Sequence, residues 1–144
     1  MYISYIKIFI FSLVILTINS FCTEGIQYRA DYNRFEKISI REGQIIRGKA
    51  SYYAEKFHGK RTANGEIFDM YKRTGAHRTL PFNTMVRVKN LENNKSVIVR
   101  INDRGPFIKD RLIDLSYQAA IDINMTAKGI IEVEIKILKI GKSK

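Results

Sequence analysis

The sequence predicts an all-β protein, a small β-barrel with one short helix. Three observations lead there. Residues 85–90 and 96–101 alternate apolar and polar side chains, and residues 130–138 do so over the longest such run. Alternation with period two marks a strand with one face buried. A single stretch, opening at Ser116, reads as helix, so there is no strand–helix–strand rhythm to build a doubly wound sheet.

In chain order, Ala50-Ser51-Tyr52-Tyr53-Ala54 is the first expected strand. Residues 85–90 and 96–101 flank the turn Glu92-Asn93-Asn94-Lys95 and form a β-hairpin. Leu112-Ile113-Asp114-Leu115 is a short strand, after which Ser116 caps a helix reaching about Ile123. Residues 130–138 form the last strand.

The chain has 144 residues, room for one compact domain of ordinary size. With 45% hydrophobic and 27% charged residues it is neither disordered, collagen-like nor a multi-span membrane protein. One Cys excludes an internal disulfide framework and a zinc site built from several thiolates. A net charge of +11 predicts a polyanionic partner without saying which one.

Lys7 precedes an apolar run over residues 8–18, which is too short for a membrane span of about 20 residues. A positive residue, a short apolar run and small polar residues read as an export signal. Cys22 follows directly and is the candidate lipidation site, although Asn19 and Phe21 depart from the usual lipobox. The alternative is a plain cleaved signal or an uncleaved anchor. The expected division is a signal over 1–22, a linker over 23–46, the barrel over 47–139 and a basic tail over 140–144.

Two polar islands interrupt the strand pattern. The first spans residues 57–69 and continues through 75–81, and it holds both His residues of the chain, His58 and His77. The second spans residues 100–107, with Arg111 and Asp114 close behind. Loops carrying His, Glu and Asp beside Gly and Pro at a barrel rim are common functional positions. Asn64-Gly65 and Gly105-Pro106 are equally ordinary turn dipeptides.

Seven blocks in order carry a resemblance: Gly48-Lys49-Ala50-Ser51-Tyr52-Tyr53, Phe57-His58-Gly59, Thr62-Ala63-Asn64-Gly65-Glu66, Ala76-His77-Arg78-Thr79-Leu80-Pro81, Val86-Arg87-Val88-Lys89-Asn90-Leu91, Asn102-Asp103-Arg104-Gly105-Pro106-Phe107 and Ile113-Asp114-Leu115-Ser116. From about Gly48 to Leu138 the chain resembles the rare lipoprotein A family. The resemblance implies a six-stranded double-psi β-barrel and the activity of a peptidoglycan lytic transglycosylase. Many members add a C-terminal peptidoglycan-binding repeat domain, which is not expected here before Lys144.

Such an enzyme cleaves the β-1,4 bond between N-acetylmuramic acid and N-acetylglucosamine. The muramic C6 hydroxyl attacks its own anomeric carbon and leaves a 1,6-anhydro end. One carboxyl suffices, protonating the leaving oxygen and later accepting the C6 proton. By resemblance Asp103 is that carboxyl, and Glu66 and His77 are the other catalytic positions. Glu66 would stabilise charge at the anomeric carbon or share the proton; His77 would orient the acid or hold the sugar. His58, Tyr53, Asn64, Arg104 and Phe107 are the expected substrate contacts. The residues also admit plainer readings. Asp103 could bridge to Arg104 or Arg100, Glu66 could secure the Asn64-Gly65 turn, and His77 could be a satisfied rim histidine. For His58 the plainer reading is a structural role, and Asp114 is expected to be structural, holding backbone amides. No metal and no cofactor are expected, because no HExxH or paired-thiolate spacing is present. The expected partner is peptidoglycan, with possible membrane attachment at Cys22, no nucleic acid and a monomeric chain. The competing class is a non-catalytic, expansin-like glycan-binding module.

Overall fold

The computed structural model describes residues 40–53 and 55–142. The expected signal, Cys22 and residues 23–39 of the expected linker lie outside them. Six strands are formed: β1 Ile45–Tyr52, β2 Thr74–Ala76, β3 Met85–Asn90, β4 Ser96–Asp103, β5 Arg111–Leu115 and β6 Ile131–Lys139. A 3-10 turn at Glu55–Phe57 follows β1, and the helix α1 spans Tyr117–Asp122. The strands close into a barrel in the order β1-β5-β2-β4-β3-β6. The pairs β1–β5 and β2–β4 are parallel, and the remaining neighbours are antiparallel. Closure pairs every strand on both sides, which removes the exposed edge that an open sheet would present.

The period-two pattern selects what is inside. Val86 and Val88 of β3, Val97, Val99 and Ile101 of β4, and Ile131, Val133, Ile135 and Ile137 of β6 all point into one core. Arg87 of β3, Ser96 of β4, and Glu132 and Lys136 of β6, which alternate with them, face out. The helix seals one end of this core through buried Ala119 and Ala120. Ser116 caps it by accepting from the Ala119 backbone N–H at 3.3 Å. At its other end the Ile123 carbonyl accepts from the side-chain amides of Asn90 and Asn93, both at 3.0 Å. Those bonds satisfy one of the carbonyls that every helix C-terminus leaves open.

The strands differ from the sequence reading in three notable ways. The first strand spans Ile45–Tyr52 instead of residues 50–54, because Ile45 to Ala50 pair with β6. The fourth strand runs on to Asp103, since Ala76 of β2 pairs with that residue. The strand β2 was not expected at all. Three residues carry no readable alternation, and all three are buried.

Gly75 shows why β2 is built from small residues. A Cβ there would lie 3.2 Å from the Asp114 carbonyl oxygen and 3.4 Å from Ile113 Cδ1. Gly75→Ala is therefore expected to destabilise the fold by about 1–3 kcal/mol, the usual cost of overpacking. Thermal denaturation checks this, and an unchanged midpoint would show that the β2–β5 contact relaxes freely.

Candidate active site

The site lies where β4 ends and the first polar island folds over it. The Asp103 carboxylate is held from three sides. Its Oδ1 accepts from the backbone N–H of Ala63 at 2.9 Å and of Arg104 at 2.8 Å. Its Oδ2 accepts from the Tyr53 hydroxyl at 3.2 Å. Burial pushes the Tyr53 phenol well above its ordinary range, and the nearby Asp103 carboxylate raises it further. The phenol thus stays protonated, and a donor to Asp103, around neutral pH. Among the described residues Asp103 forms no ion pair with Arg100 or Arg104, so the plain bridging reading does not hold.

The Ala63 N–H reaches Asp103 because residues 62–66 form a tight turn docked on the end of β4. Asn64 Oδ1 accepts from the Thr62 hydroxyl at 2.7 Å and from the Glu66 N–H at 3.1 Å, and the Asn64 N–H donates to the Asn102 carbonyl at 3.3 Å. Gly65 takes φ of +92°, a conformation that favours glycine. Asp103 faces a hollow of about 350 Å³ whose walls include Tyr53, Phe57, Phe68, Arg104, Phe107 and Arg111. Phe107 is 84% exposed, an unusual setting for a large apolar ring.

Glu66 lies elsewhere. With Asn64, Phe82 and Asn83 it lines a neighbouring hollow of about 550 Å³ that shares Arg104 with the first. Its two oxygens accept from Arg100 at 2.8 and 2.7 Å, and Asn102 Nδ2 donates to it at 3.2 Å. The Arg100 hydrogen bonds pull its pKa down to about 2. Both oxygens of Glu66 are thus turned to Arg100, and the carboxylate lines the neighbouring hollow rather than the one Asp103 faces. Its contact with Asn102, next to Asp103 in sequence, fixes the strand end instead.

His77 is buried, at 7% exposure, and lines neither hollow. Its Nδ1 accepts from the backbone N–H of Thr79 at 3.2 Å and of Leu80 at 3.1 Å, which leaves Nε2 to carry the proton of the neutral ring. Burial lowers its pKa to about 4, with Arg104 and Arg78 adding to the effect. Its backbone N–H donates to the Asp103 carbonyl at 3.2 Å. Arg104 Nη1 donates to the His77 and Leu80 carbonyls at 3.2 and 3.0 Å, while its guanidinium lies 3.7 Å from the centre of the Phe82 ring.

Of the expected substrate contacts, the structure therefore brings Tyr53, Arg104 and Phe107 to Asp103 and leaves Asn64 in the neighbouring hollow. His58 lines neither; its Nδ1 accepts from the Met70 N–H at 3.2 Å and its ring packs on Tyr71. Asp114 does not hold backbone amides as expected. Its Oδ2 accepts from Arg111 Nη2 at 3.2 Å, and both residues line the Asp103 hollow. The aromatic walls Phe57 and Phe68 were not singled out as site residues, since a lone Phe near a turn carries no signal beyond core packing.

A closed six-stranded barrel of mixed pairing, with a carboxylate at a strand end facing an aromatic hollow, defines a double-psi β-barrel with a candidate active-site groove. Residues 45–135 match the lytic transglycolase family, and the chain belongs to that family. It is 56% identical over 99 residues to the endolytic peptidoglycan transglycosylase RlpA of Helicobacter pylori (strain ATCC 700392 / 26695), covering 69% of this chain and 31% of that protein. It is 47% identical over 116 residues to the protein of the same name from Vibrio cholerae serotype O1, covering 78% of this chain and 44% of that one. The chain thus spans less than half the length of these curated relatives. Among solved structures the Streptomyces papain inhibitor matches with a TM-score of 0.58 at 23% identity, covering 70% of this chain and all of the inhibitor, a likeness of fold alone.

Proposed function

We propose that the chain is an endolytic peptidoglycan lytic transglycosylase that uses Asp103 as its general acid and base. It would cut the β-1,4 bond between N-acetylmuramic acid and N-acetylglucosamine and leave 1,6-anhydro-muramic ends. The observation that carries this reading is the Asp103 carboxylate, oriented by two backbone N–H groups and a phenol at the edge of an aromatic hollow. Family membership and the name of the relatives support it.

In the proposed reaction protonated Asp103 gives its proton to the glycosidic oxygen as the bond from that oxygen to C1 breaks. The C6 hydroxyl of the muramic residue then bonds to C1 and returns a proton to Asp103. The atoms balance without water, and one carboxyl serves both steps. The exposed Phe107 and the half-buried Tyr53 offer apolar faces to sugar rings. Glu66 and His77 act as positioning residues. Glu66 holds Asn102 at the strand end, and His77 holds the turn on which Arg104 rests. The cell envelope is the proposed location, with Cys22 as the proposed lipid attachment point. The basic chain suits a wall rich in carboxylates.

Digestion of purified peptidoglycan tests the activity. Anhydro-muropeptides detected by mass spectrometry are the expected product. A protein that binds glycan strands and releases none would be the expansin-like module instead.

A further inference from the structure

The hollow beside the Asp103 site has a wall that the barrel strands do not supply. After β6 the chain lies against residues 82–84, and Lys142 lines this hollow together with Asn64, Glu66, Phe82, Asn83 and Arg104. Three contacts fix the chain just ahead of Lys142. Ile140 packs against the core, and its N–H donates to Glu42 Oε1 at 3.0 Å. The Gly141 N–H donates to the fully buried Thr84 at Oγ1, also at 3.0 Å. Gly141 passes so close to the neighbouring backbone that an added Cβ would overlap the Phe82 carbonyl oxygen and lie 2.8 Å from the Asn83 carbonyl carbon. Lys142 lies beyond residues 45–135, the part of the chain that matches the family.

The groups lining this hollow offer donors and few free acceptors. Both oxygens of its one acid, Glu66, are turned to Arg100. Asn64 Oδ1 is taken by the Thr62 hydroxyl and the Glu66 N–H, and Asn83 Oδ1 by Arg100. The side-chain amide N–H groups of Asn64 and Asn83 and the Lys142 ammonium donate to nothing among the described residues, where Lys142 also forms no ion pair. An acceptor that carries negative charge fits such a surface. We infer that this hollow is a carboxylate-binding site in which Lys142 pairs with the lactyl carboxylate of a muramic residue. In a peptide-free glycan strand every second sugar carries that group. The two hollows adjoin at Arg104, so a strand held at Asp103 has such a carboxylate within its length to offer. The inference rests on the proposed glycan substrate.

Binding of peptide-free glycan strands, with the lactyl carboxyls either free or converted to neutral amides, tests it in an Asp103→Asn background that leaves the strands uncut. The background protein is expected to bind the free-carboxyl strands about fivefold more tightly at low salt, the upper range of one exposed ion pair, and the preference should fade as salt is raised. Lys142→Gln should remove the preference and leave binding of the amidated strands unchanged. Gly141→Ala keeps every charge but displaces Lys142, so it should remove the preference too. Lys95→Gln, the same change of charge in the β3–β4 turn, should keep it. No preference in the background protein, or a preference that survives Lys142→Gln, overturns the inference. So does a loss that Lys95→Gln reproduces, which would mark a diffuse attraction to the basic chain. Should Gly141→Ala lower the melting temperature, the two lysine variants decide alone. If both kinds of strand bind alike, this inference falls and the glycan reading stands; if neither binds, both fall. If the parent chain releases no anhydro products, the catalytic proposal falls while this result still reads, since it measures binding.

Discussion

Asp103→Asn is expected to lower release of 1,6-anhydro products by about 10²- to 10⁴-fold, the range that a general acid and base supplies. The hydrogen bonds explain why the substitution isolates chemistry from structure. An Asn Oδ1 still accepts from Ala63 and Arg104 N–H, and the Asn amide can donate to the Tyr53 oxygen in place of accepting from it. The side chain keeps its shape and its three partners but has no proton to transfer. Anhydro-muropeptides counted by mass spectrometry, with a thermal melt on the same sample, check the outcome. Cleavage at the parent rate would remove Asp103 from the acid role. Loss of cleavage together with a large fall in melting temperature would instead make it a fold residue.

Much of this site could be read from the chain because alternation and turn chemistry are local. The β3–β4 hairpin, the cap at Ser116 and the long β6 follow from side chains within a few residues of one another. The short β2 could not be read, because a three-residue strand is specified by its neighbours: Gly75 is small to pass the Asp114 carbonyl, a residue 39 positions later. The functional residues were visible as types, but their roles depend on partners distant in sequence. Nothing local to Glu66 announces Arg100, 34 positions later, and that pairing turns both carboxylate oxygens toward a guanidinium. Likewise the Asn64-Gly65 turn reads as a turn, but its presentation of the Ala63 N–H to Asp103 is a tertiary fact.

The structure also predicts that the protein loses stability between about pH 6.5 and pH 4 through His77. The folded ring is neutral, with Nδ1 occupied by the Thr79 and Leu80 N–H groups and with Arg104 and Arg78 nearby. Protonation would set a new N–H against two existing ones, in a buried place beside two cations. The folded-state pKa of about 4 lies below the ordinary value of 6.5. Between those values the unfolded chain binds a proton that the folded chain refuses, so stability rises with pH across the window. At about 1.4 kcal/mol per unit, the loss on acidification amounts to about 3 kcal/mol by pH 4 and stops growing below it. Two carboxyls modify this slope. Glu66, lowered to about 2, contributes stability that is present above its ordinary value and fades only as pH falls toward 2. Asp114, raised by burial, acts in the opposite direction. His77→Asn separates the contributions, since an Asn oxygen can still accept from the N–H groups of the turn but does not titrate. The parent melting temperature should fall steeply from pH 7 to pH 4, and that of the variant should stay nearly level over the same range. Parallel curves for the two proteins would show that His77 is not the residue through which acid acts.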